Sequence, residues 1–214
     1  MFTIAITGRK GGIGKTTLCA NLGAELAALG PRVILLDTDP QQSLVAWARL
    51  GEGFLSKYVQ AVDISRPERF RAKVDSLAGS ADRVLIDTPP GFTDPALLAS
   101  LVADLVLLPA GPSPLDIMAA KDALALAVEA EKQRGDGKPV VRFVPSKVQL
   151  QTNLGRELPD SLENLGQKVL PAIGQRIAVA EAALSGLTVG EYAPDSVAHE
   201  EFKALAKAVE RLAR

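Results

Sequence analysis

The sequence is poor in the residues and runs that mark several protein classes. Cys19 is the only cysteine among 214 residues, so no intrachain disulfide can form. Such a low cysteine content is typical of proteins in a reducing compartment. No apolar run reaches the roughly 18 residues that a membrane-spanning helix needs. The first residues enter an apolar strand pattern without the basic segment and apolar core of a signal peptide. These absences predict a cytoplasmic protein.

The charge balance also lacks a strong sign. The net charge is −1, and the part of the chain from Lys138 onward carries basic and acidic residues in nearly equal numbers. Any contact with nucleic acid therefore needs a local basic patch. The length and the 47% content of hydrophobic residues suit one large α/β domain, and we predict a single domain over residues 1–214, with no N-terminal DNA-binding extension.

A glycine-rich loop is the strongest motif in the chain. Residues 9–17 follow an apolar strand pattern and precede a helical pattern over residues 18–29. Strand, glycine loop and helix in this order form a phosphate-binding loop, because backbone N–H groups and the positive helix end converge on an anion. A flexible turn, the alternative, does not explain that context. The predicted nucleotide contacts are Gly11, Gly12, Ile13, Gly14, Lys15, Thr16 and Thr17.

The loop departs from the strict pattern G-x-x-x-x-G-K-[ST]. The pattern requires glycine at position 9, where this chain has Arg9, and Lys10 is a second lysine inside the loop. An added cation at the γ-phosphate can raise the rate of hydrolysis by about 10³ to 10⁵. Lys10 is the candidate, and if it reaches the phosphate only from a second subunit, then hydrolysis requires dimerisation.

Helical and apolar strand patterns alternate along most of the chain. This alternation predicts one P-loop NTPase domain of the α/β class, with a mostly parallel twisted sheet and helices on both faces. The predicted strands after the first are residues 32–36, 55–62, 83–87, 104–108, 139–144 and 168–172. The predicted helices after the first are residues 43–50, 67–77, 94–101, 115–132, 153–164, 178–184 and 196–212.

Three aspartates follow predicted strands at the edge of the sheet where ligands bind. Asp37 and Asp39 end one strand, and Asp87 ends another. Mg²⁺ bound to a nucleotide needs a carboxylate near the phosphate loop, so Asp87 is the predicted metal ligand together with Thr16. One of Asp37 and Asp39 is expected to orient the attacking water while the other steadies the metal shell or the loop. A simple Asp-Pro turn is the alternative for this pair.

Three motifs together resemble the ParA/MinD family of deviant-Walker ATPases. They are Lys10-Gly-Gly-Ile-Gly-Lys15-Thr-Thr, Leu36-Asp37-Thr-Asp39-Pro-Gln-Gln-Ser43 and Ile86-Asp87-Thr-Pro-Pro-Gly91. Pro109-Ala-Gly-Pro-Ser-Pro-Leu-Asp116 and Thr152-Asn-Leu-Gly-Arg156-Glu157 are similar to the same family. The likeness spans essentially the whole chain, and it is greatest to the small ParA-type partition ATPases.

The resemblance implies roles for five residues. Lys10 matches the signature lysine that crosses the dimer interface, and Lys15 and Thr16 match the phosphate and Mg²⁺ ligands. Asp39 matches the aspartate that orients water, and Asp87 matches the metal aspartate of the second switch. The implied cofactors are ATP and Mg²⁺, with Lys10, Lys15 and Asp39 as the catalytic set.

The base site departs from the family. Many relatives carry Asn after the strand that is predicted to end at Val144, whereas this chain has Pro145-Ser146-Lys147. Pro145 and Lys147, with Asp37, complete the predicted nucleotide-binding set. Adenine specificity is therefore implied by the resemblance alone.

The resemblance also implies partners and a place in the cell. It implies an ATP-dependent homodimer that associates with the nucleoid by non-specific binding to double-stranded DNA, positions a cargo and is activated by a ParB-like partner. Basal ATP hydrolysis is expected to be slow, and no stable membrane association is expected. The candidate DNA contacts are Lys147, Arg156, Lys168, Arg176, Lys203 and Lys207. For each of them the alternative is an ordinary solvated cation at the surface.

Other functions remain open at this point. A membrane-surface ATPase of the MinD kind would need a basic amphipathic tail, and residues 196–212 alternate apolar and basic positions, although we expect this helix to pack on the core. A metabolic P-loop enzyme is a weaker alternative because such enzymes lack the loop lysine. An iron–sulfur reductase is disfavoured by the single cysteine.

Overall fold

The computed structural model describes residues 1–91 and 93–214 and shows a seven-stranded sheet in which every strand pair is parallel. The strand order is β3-β2-β4-β1-β5-β6-β7. The predicted α/β class with a parallel sheet is confirmed. The strands are β1 (Phe2–Ile6), β2 (Val33–Asp37), β3 (Val59–Ala61), β4 (Arg83–Asp87), β5 (Leu105–Ala110), β6 (Val140–Val148) and β7 (Ile173–Gly174).

Helices cover both faces of the sheet, as the alternating pattern predicts. Neighbouring residues of β4 show the two layers, since Leu85 belongs to the core cluster with Leu22 and Phe202 on one face while Ile86 belongs to the cluster with Phe70 and Leu158 on the other. The helices are α1 (Lys15–Ala28), α2 (Ser43–Ala48), α3 (Phe54–Tyr58), α4 (Pro67–Ser76), α5 (Thr93–Val102), α6 (Pro114–Arg134), α7 (Asn153–Glu163), α8 (Ile177–Leu184), α9 (Val189–Tyr192) and α10 (Val197–Leu212).

The prediction of a strand over residues 55–62 was wrong for most of its length. Phe54–Tyr58 is the short helix α3, and only Val59–Ala61 pairs with the sheet. Glu191, far away in the sequence, accepts a hydrogen bond of 2.7 Å from the Phe54 backbone N–H. This carboxylate satisfies a donor at the start of the helix, which local sequence patterns do not reveal.

The region after β5 differs from the prediction in three places. β6 continues to Val148 rather than ending at residue 144. The predicted strand over residues 168–172 contributes one bridge, from Val169 to Phe143, and β7 follows at Ile173–Gly174. The helix α9 was not predicted, although Thr188 and Glu191 form a capping box at its start. β6 and β7 together extend the sheet beside the phosphate loop.

The strand register brings the carboxyl ends of the central strands together. Asp87 of β4 is level with Ile6 of β1 on one side and with Asp37 of β2 on the other. The phosphate loop leaves β1 at this level, so the loop and both strand-end aspartates share one edge of the sheet.

Candidate nucleotide site

The phosphate loop joins β1 to α1 and has the backbone shape of an anion cradle. Gly12 and Gly14 have φ angles of 71° and 98°, in the left-handed region that favours glycine. Gly14 caps α1 without a side-chain hydrogen bond, so the N–H groups of the first helical turn are left for a ligand. The positive end of α1 adds to this preference for an anion.

Lys15 is placed inside the cradle. Its side chain is buried, and Nζ donates a hydrogen bond of 3.2 Å to the backbone carbonyl of Lys10. Burial lowers the pKa of Lys15, while the charges of Asp87 and Asp39 oppose that change. A desolvated ammonium group at this position is stabilised by an anion, which agrees with the predicted phosphate contact.

Thr16 and Asp87 meet beneath the loop. The Thr16 hydroxyl donates to Asp87 Oδ2 at 2.7 Å, and the Asp87 side chain is fully buried. Its other oxygen, Oδ1, has no hydrogen-bond partner among the described residues. Burial raises the pKa of Asp87 to about 7, the Thr16 hydrogen bond opposes this rise, and nearby Asp37 adds to it. An unsatisfied buried carboxylate oxygen next to a hydroxyl is a donor set that fits Mg²⁺.

Asp37 and Asp39 have different surroundings. Asp37 is buried, and its two oxygens accept hydrogen bonds from the backbone N–H groups of Asp39 (3.1 Å) and Val45 (2.9 Å). It therefore stabilises the loop between β2 and α2, and burial raises its pKa. Asp39 is half-buried and accepts a hydrogen bond from the N–H of Gln41 at 2.9 Å, and within the described part of the chain no hydrogen bond to its second oxygen is seen.

The Lys10 side chain forms an ion pair within its own subunit. Nζ lies 2.6 Å from Asp116 Oδ1 at the start of α6. The other oxygen of Asp116 accepts a hydrogen bond from the hydroxyl of Ser113, the capping residue of α6, at 2.8 Å. Sequence reasoning assigned no role to Asp116, although a capping serine followed three residues later by an acid is a recognisable signal. Arg9 pairs more loosely with Asp122 of the same helix, at 3.6 Å.

A cavity of about 410 Å³ opens beside the phosphate loop. Its walls come from the start of α1, the end of β6, and the segment from β7 into α8, and this last segment was missed by sequence reasoning. Ser146 and Lys147 line it, and Pro145 lies one residue earlier in β6, paired with Ala110. Other lining residues are Ile13, Gly14, Thr17, Ile173, Gly174, Gln175, Arg176 and Ile177.

The six predicted DNA contacts do not form one free cluster. Arg176 pairs with Glu201 at 2.6 Å, and Lys203 pairs with Glu200 at 2.9 Å. Arg156 donates to Asn153 on its own helix, and Lys147 donates to the phosphate loop. Lys168 and Lys207 are exposed. DNA contact by these residues remains a prediction.

Comparison with known proteins agrees with this geometry. Residues 4–189 match the model of the CobQ/CobB/MinD/ParA nucleotide binding domain. The chain belongs to this family. The likeness to ParA/MinD ATPases that the motifs indicated is confirmed.

Two relatives in this family are 30% identical to the chain. One is the maintenance of carboxysome distribution protein A of Halothiobacillus neapolitanus, with a match over 88% of this chain and 86% of that protein. The other is the chromosome-partitioning ATPase Soj of Thermus thermophilus, with a match over 96% and 94%. The septum site-determining protein MinD complexed with Mg-ADP from Pyrococcus horikoshii has the same fold, with a TM-score of 0.79, 23% identity and coverage of 99% and 97%.

Proposed function

We propose that this family member is an ATP-dependent switch that dimerises, binds double-stranded DNA non-specifically and positions a cargo. The observation that supports nucleotide binding best is the buried pair of Thr16 and Asp87, with an unsatisfied carboxylate oxygen beneath a cradle of backbone N–H groups. Relatives named for carboxysome distribution and chromosome partitioning support the positioning role.

The residues of the site divide the work of phosphoryl transfer to water. Gly11 to Gly14 and the N–H groups of the first turn of α1 bind and orient the phosphates, and Lys15 neutralises their charge. Thr16 and Asp87 hold Mg²⁺, which supplies further charge neutralisation when bound. Asp39 orients the attacking water, and Asp37 stabilises the loop that carries Asp39.

Lys10 supplies the link between nucleotide and dimer in this proposal. In the isolated subunit its ammonium group pairs with Asp116, so it is not committed to the nucleotide of its own subunit. Opening this pair frees Lys10 to bind the nucleotide of a second subunit. Because each nucleotide then needs two subunits, basal hydrolysis is slow until a ParB-like activator or cargo adaptor acts on the dimer.

The cavity at the end of β6 is the proposed base site, with Ser146 and Lys147 in its wall. Adenine is proposed on the family likeness. The proposed DNA binding implies a cytoplasmic, nucleoid-associated location. The exposed cations Lys168 and Lys207 are the proposed DNA contacts, and a dimer would carry twice as many of them as one subunit.

The membrane-surface alternative has less support. Phe202, Leu205 and Val209 of α10 are fully buried in the core, so this helix does not offer its apolar face to lipid. None of the described helices is long and apolar enough to cross a membrane. Liposome sedimentation with ATP tests the alternative directly, and strong lipid binding would favour it.

Two measurements test the proposal. Calorimetric titration with ATP and Mg²⁺ should show binding to the wild-type chain and none to Lys15→Ala, because the cradle loses its central cation. Asp39→Ala should bind ATP and accumulate as a dimer in size-exclusion chromatography. A monomer at saturating ATP would contradict the switch, and the absence of a DNA mobility shift with this dimer at low salt would contradict DNA binding.

A further inference from the structure

Lys147 makes a contact that neither a DNA-binding nor a base-binding role explains. Its Nζ donates a hydrogen bond of 2.6 Å to the backbone carbonyl of Gly12, which lies 135 residues earlier in the chain. The contact joins the end of β6, in the wall of the cavity, to the middle of the phosphate loop.

The backbone of Lys147 is held in an uncommon conformation. Its φ angle is 56°, in the left-handed region that non-glycine residues rarely adopt. β6 is irregular here, since the pairing with β7 shifts between Ser146 and Val148. Strained positions that persist next to a ligand site are commonly part of the site's function.

The hydrogen bond to Gly12 determines where the next N–H group points. The peptide between Gly12 and Ile13 is planar and trans, so its C=O and N–H point in opposite directions. Lys147 attracts the carbonyl, and the Ile13 N–H is therefore directed away from Lys147. Among the turn and loop hydrogen bonds of the described residues, none joins this N–H to a backbone carbonyl. The Ile13 side chain is buried and anchors the residue.

We propose that Lys147 is a positioning residue that keeps the phosphate loop in its anion-binding shape through the Gly12 carbonyl. The ammonium group acts on the phosphates only through the peptide between Gly12 and Ile13. The inference rests on the proposed nucleotide site, and it gives Lys147 a task in the subunit that does not require DNA.

The test uses Lys147→Met, which removes the ammonium group and keeps most of the apolar stem. Lys57→Met is the matched control, because Lys57 is exposed on α3 and has no role in the proposed nucleotide site or in the proposed DNA contact. Affinities are measured for ATP, ADP and inorganic tripolyphosphate. The backbone amide NMR resonance of Ile13, which responds to hydrogen bonding at the preceding Gly12 carbonyl, is measured in the nucleotide-free protein.

We expect Lys147→Met to bind all three ligands about ten-fold more weakly, the lower end of the effect of a hydrogen bond to a charged group, since Lys147 is exposed. The Ile13 amide resonance should shift in Lys147→Met and not in Lys57→Met. Lys147→Arg should restore part of the affinity because it keeps a cationic donor. Unfolding temperatures without nucleotide confirm that both methionine variants are folded.

Other outcomes would overturn the inference. A loss for ATP and ADP with unchanged tripolyphosphate binding would make Lys147 a base contact. A loss for all three ligands with an unchanged Ile13 amide resonance would make it a direct phosphate contact. If the wild-type chain binds none of the three, the proposed function fails, whereas equal binding by wild type and Lys147→Met removes only the positioning role.

Discussion

Replacing Asp116 with asparagine should make ATP-dependent dimerisation tighter. The Lys10–Asp116 ion pair is short, at 2.6 Å, but the Lys10 side chain is 45% exposed, so water screens much of the attraction. A pair of this kind contributes about 1 kcal/mol. If two such pairs open when a dimer forms, their loss in the variant favours the dimer by about 2 kcal/mol, which corresponds to roughly a 30-fold change in the dimerisation constant.

Sedimentation equilibrium with a slowly hydrolysed ATP analogue measures this constant. Asp116→Asn retains an oxygen that can accept the hydrogen bond from Ser113, so the start of α6 is preserved. Asp122→Asn is the matched control on the same helix, because its pair with Arg9 is longer, at 3.6 Å, and the Asp122 side chain is 60% exposed against 16% for Asp116. The control should leave the constant within about two-fold of the wild-type value.

One result would refute the reasoning. If Asp116→Asn weakens the dimer while its unfolding temperature is unchanged, then Asp116 supports Lys10 in the dimer and does not compete with it. The double variant Lys10→Ala with Asp116→Asn should fail to dimerise. Tight dimerisation of the double variant would show that Lys10 has no role in the interface.

Three further predictions concern stability and metal binding. Asp87→Asn should abolish the effect of Mg²⁺ on ADP affinity, measured by calorimetry. The metal-free variant should be at least as stable as the wild-type protein, because a buried carboxylate with an unsatisfied oxygen is costly. In urea unfolding, Gly186→Ala should lower the free energy of unfolding by about 3 kcal/mol. The φ angle of Gly186 is 70°, and an added Cβ would lie 2.2 Å from the neighbouring loop backbone. Gly79→Ala is the control and should have no such effect, because the space around Gly79 is open. Glu25→Ala should lower the free energy of unfolding by about 3 kcal/mol in the same assay, because it leaves the buried His199 ring, 3.0 Å away, without its carboxylate partner. An unchanged unfolding midpoint would contradict this prediction.

The features that could be predicted from the sequence are those that depend on local order along the chain. Glycines at 11, 12 and 14 between a strand and a helix indicate the cradle, and the rule that ligands bind at the carboxyl ends of parallel strands places Asp37 and Asp87 beside it. Neither inference requires knowledge of a distant contact, and both agree with the observed geometry.

Features that depend on distant partners could not be predicted. The helix at Phe54–Tyr58 begins where Glu191 accepts its first N–H, and the local sequence, from which a strand was predicted over residues 55–62, does not contain this partner. The contacts of Lys10 with Asp116 and of Lys147 with Gly12 join residues more than 100 positions apart. The departure of the loop from the strict pattern identified Lys10 as a functional candidate, and the family resemblance identified Lys147, but only the fold shows which groups they contact.

Two lysine contacts tie the phosphate loop, which lacks the first glycine of the strict pattern, to neighbouring elements. The entrance of the loop is tied to α6 through Lys10 and Asp116. The middle of the loop is tied to β6 through Lys147 and Gly12. The two ties differ in what their opening would do. In the proposed switch, opening the first tie would free a cation for a second subunit, whereas opening the second would loosen the middle of the cradle. The proposed dimerisation could therefore respond to ATP without loss of the phosphate site, provided that only the first tie is exchanged.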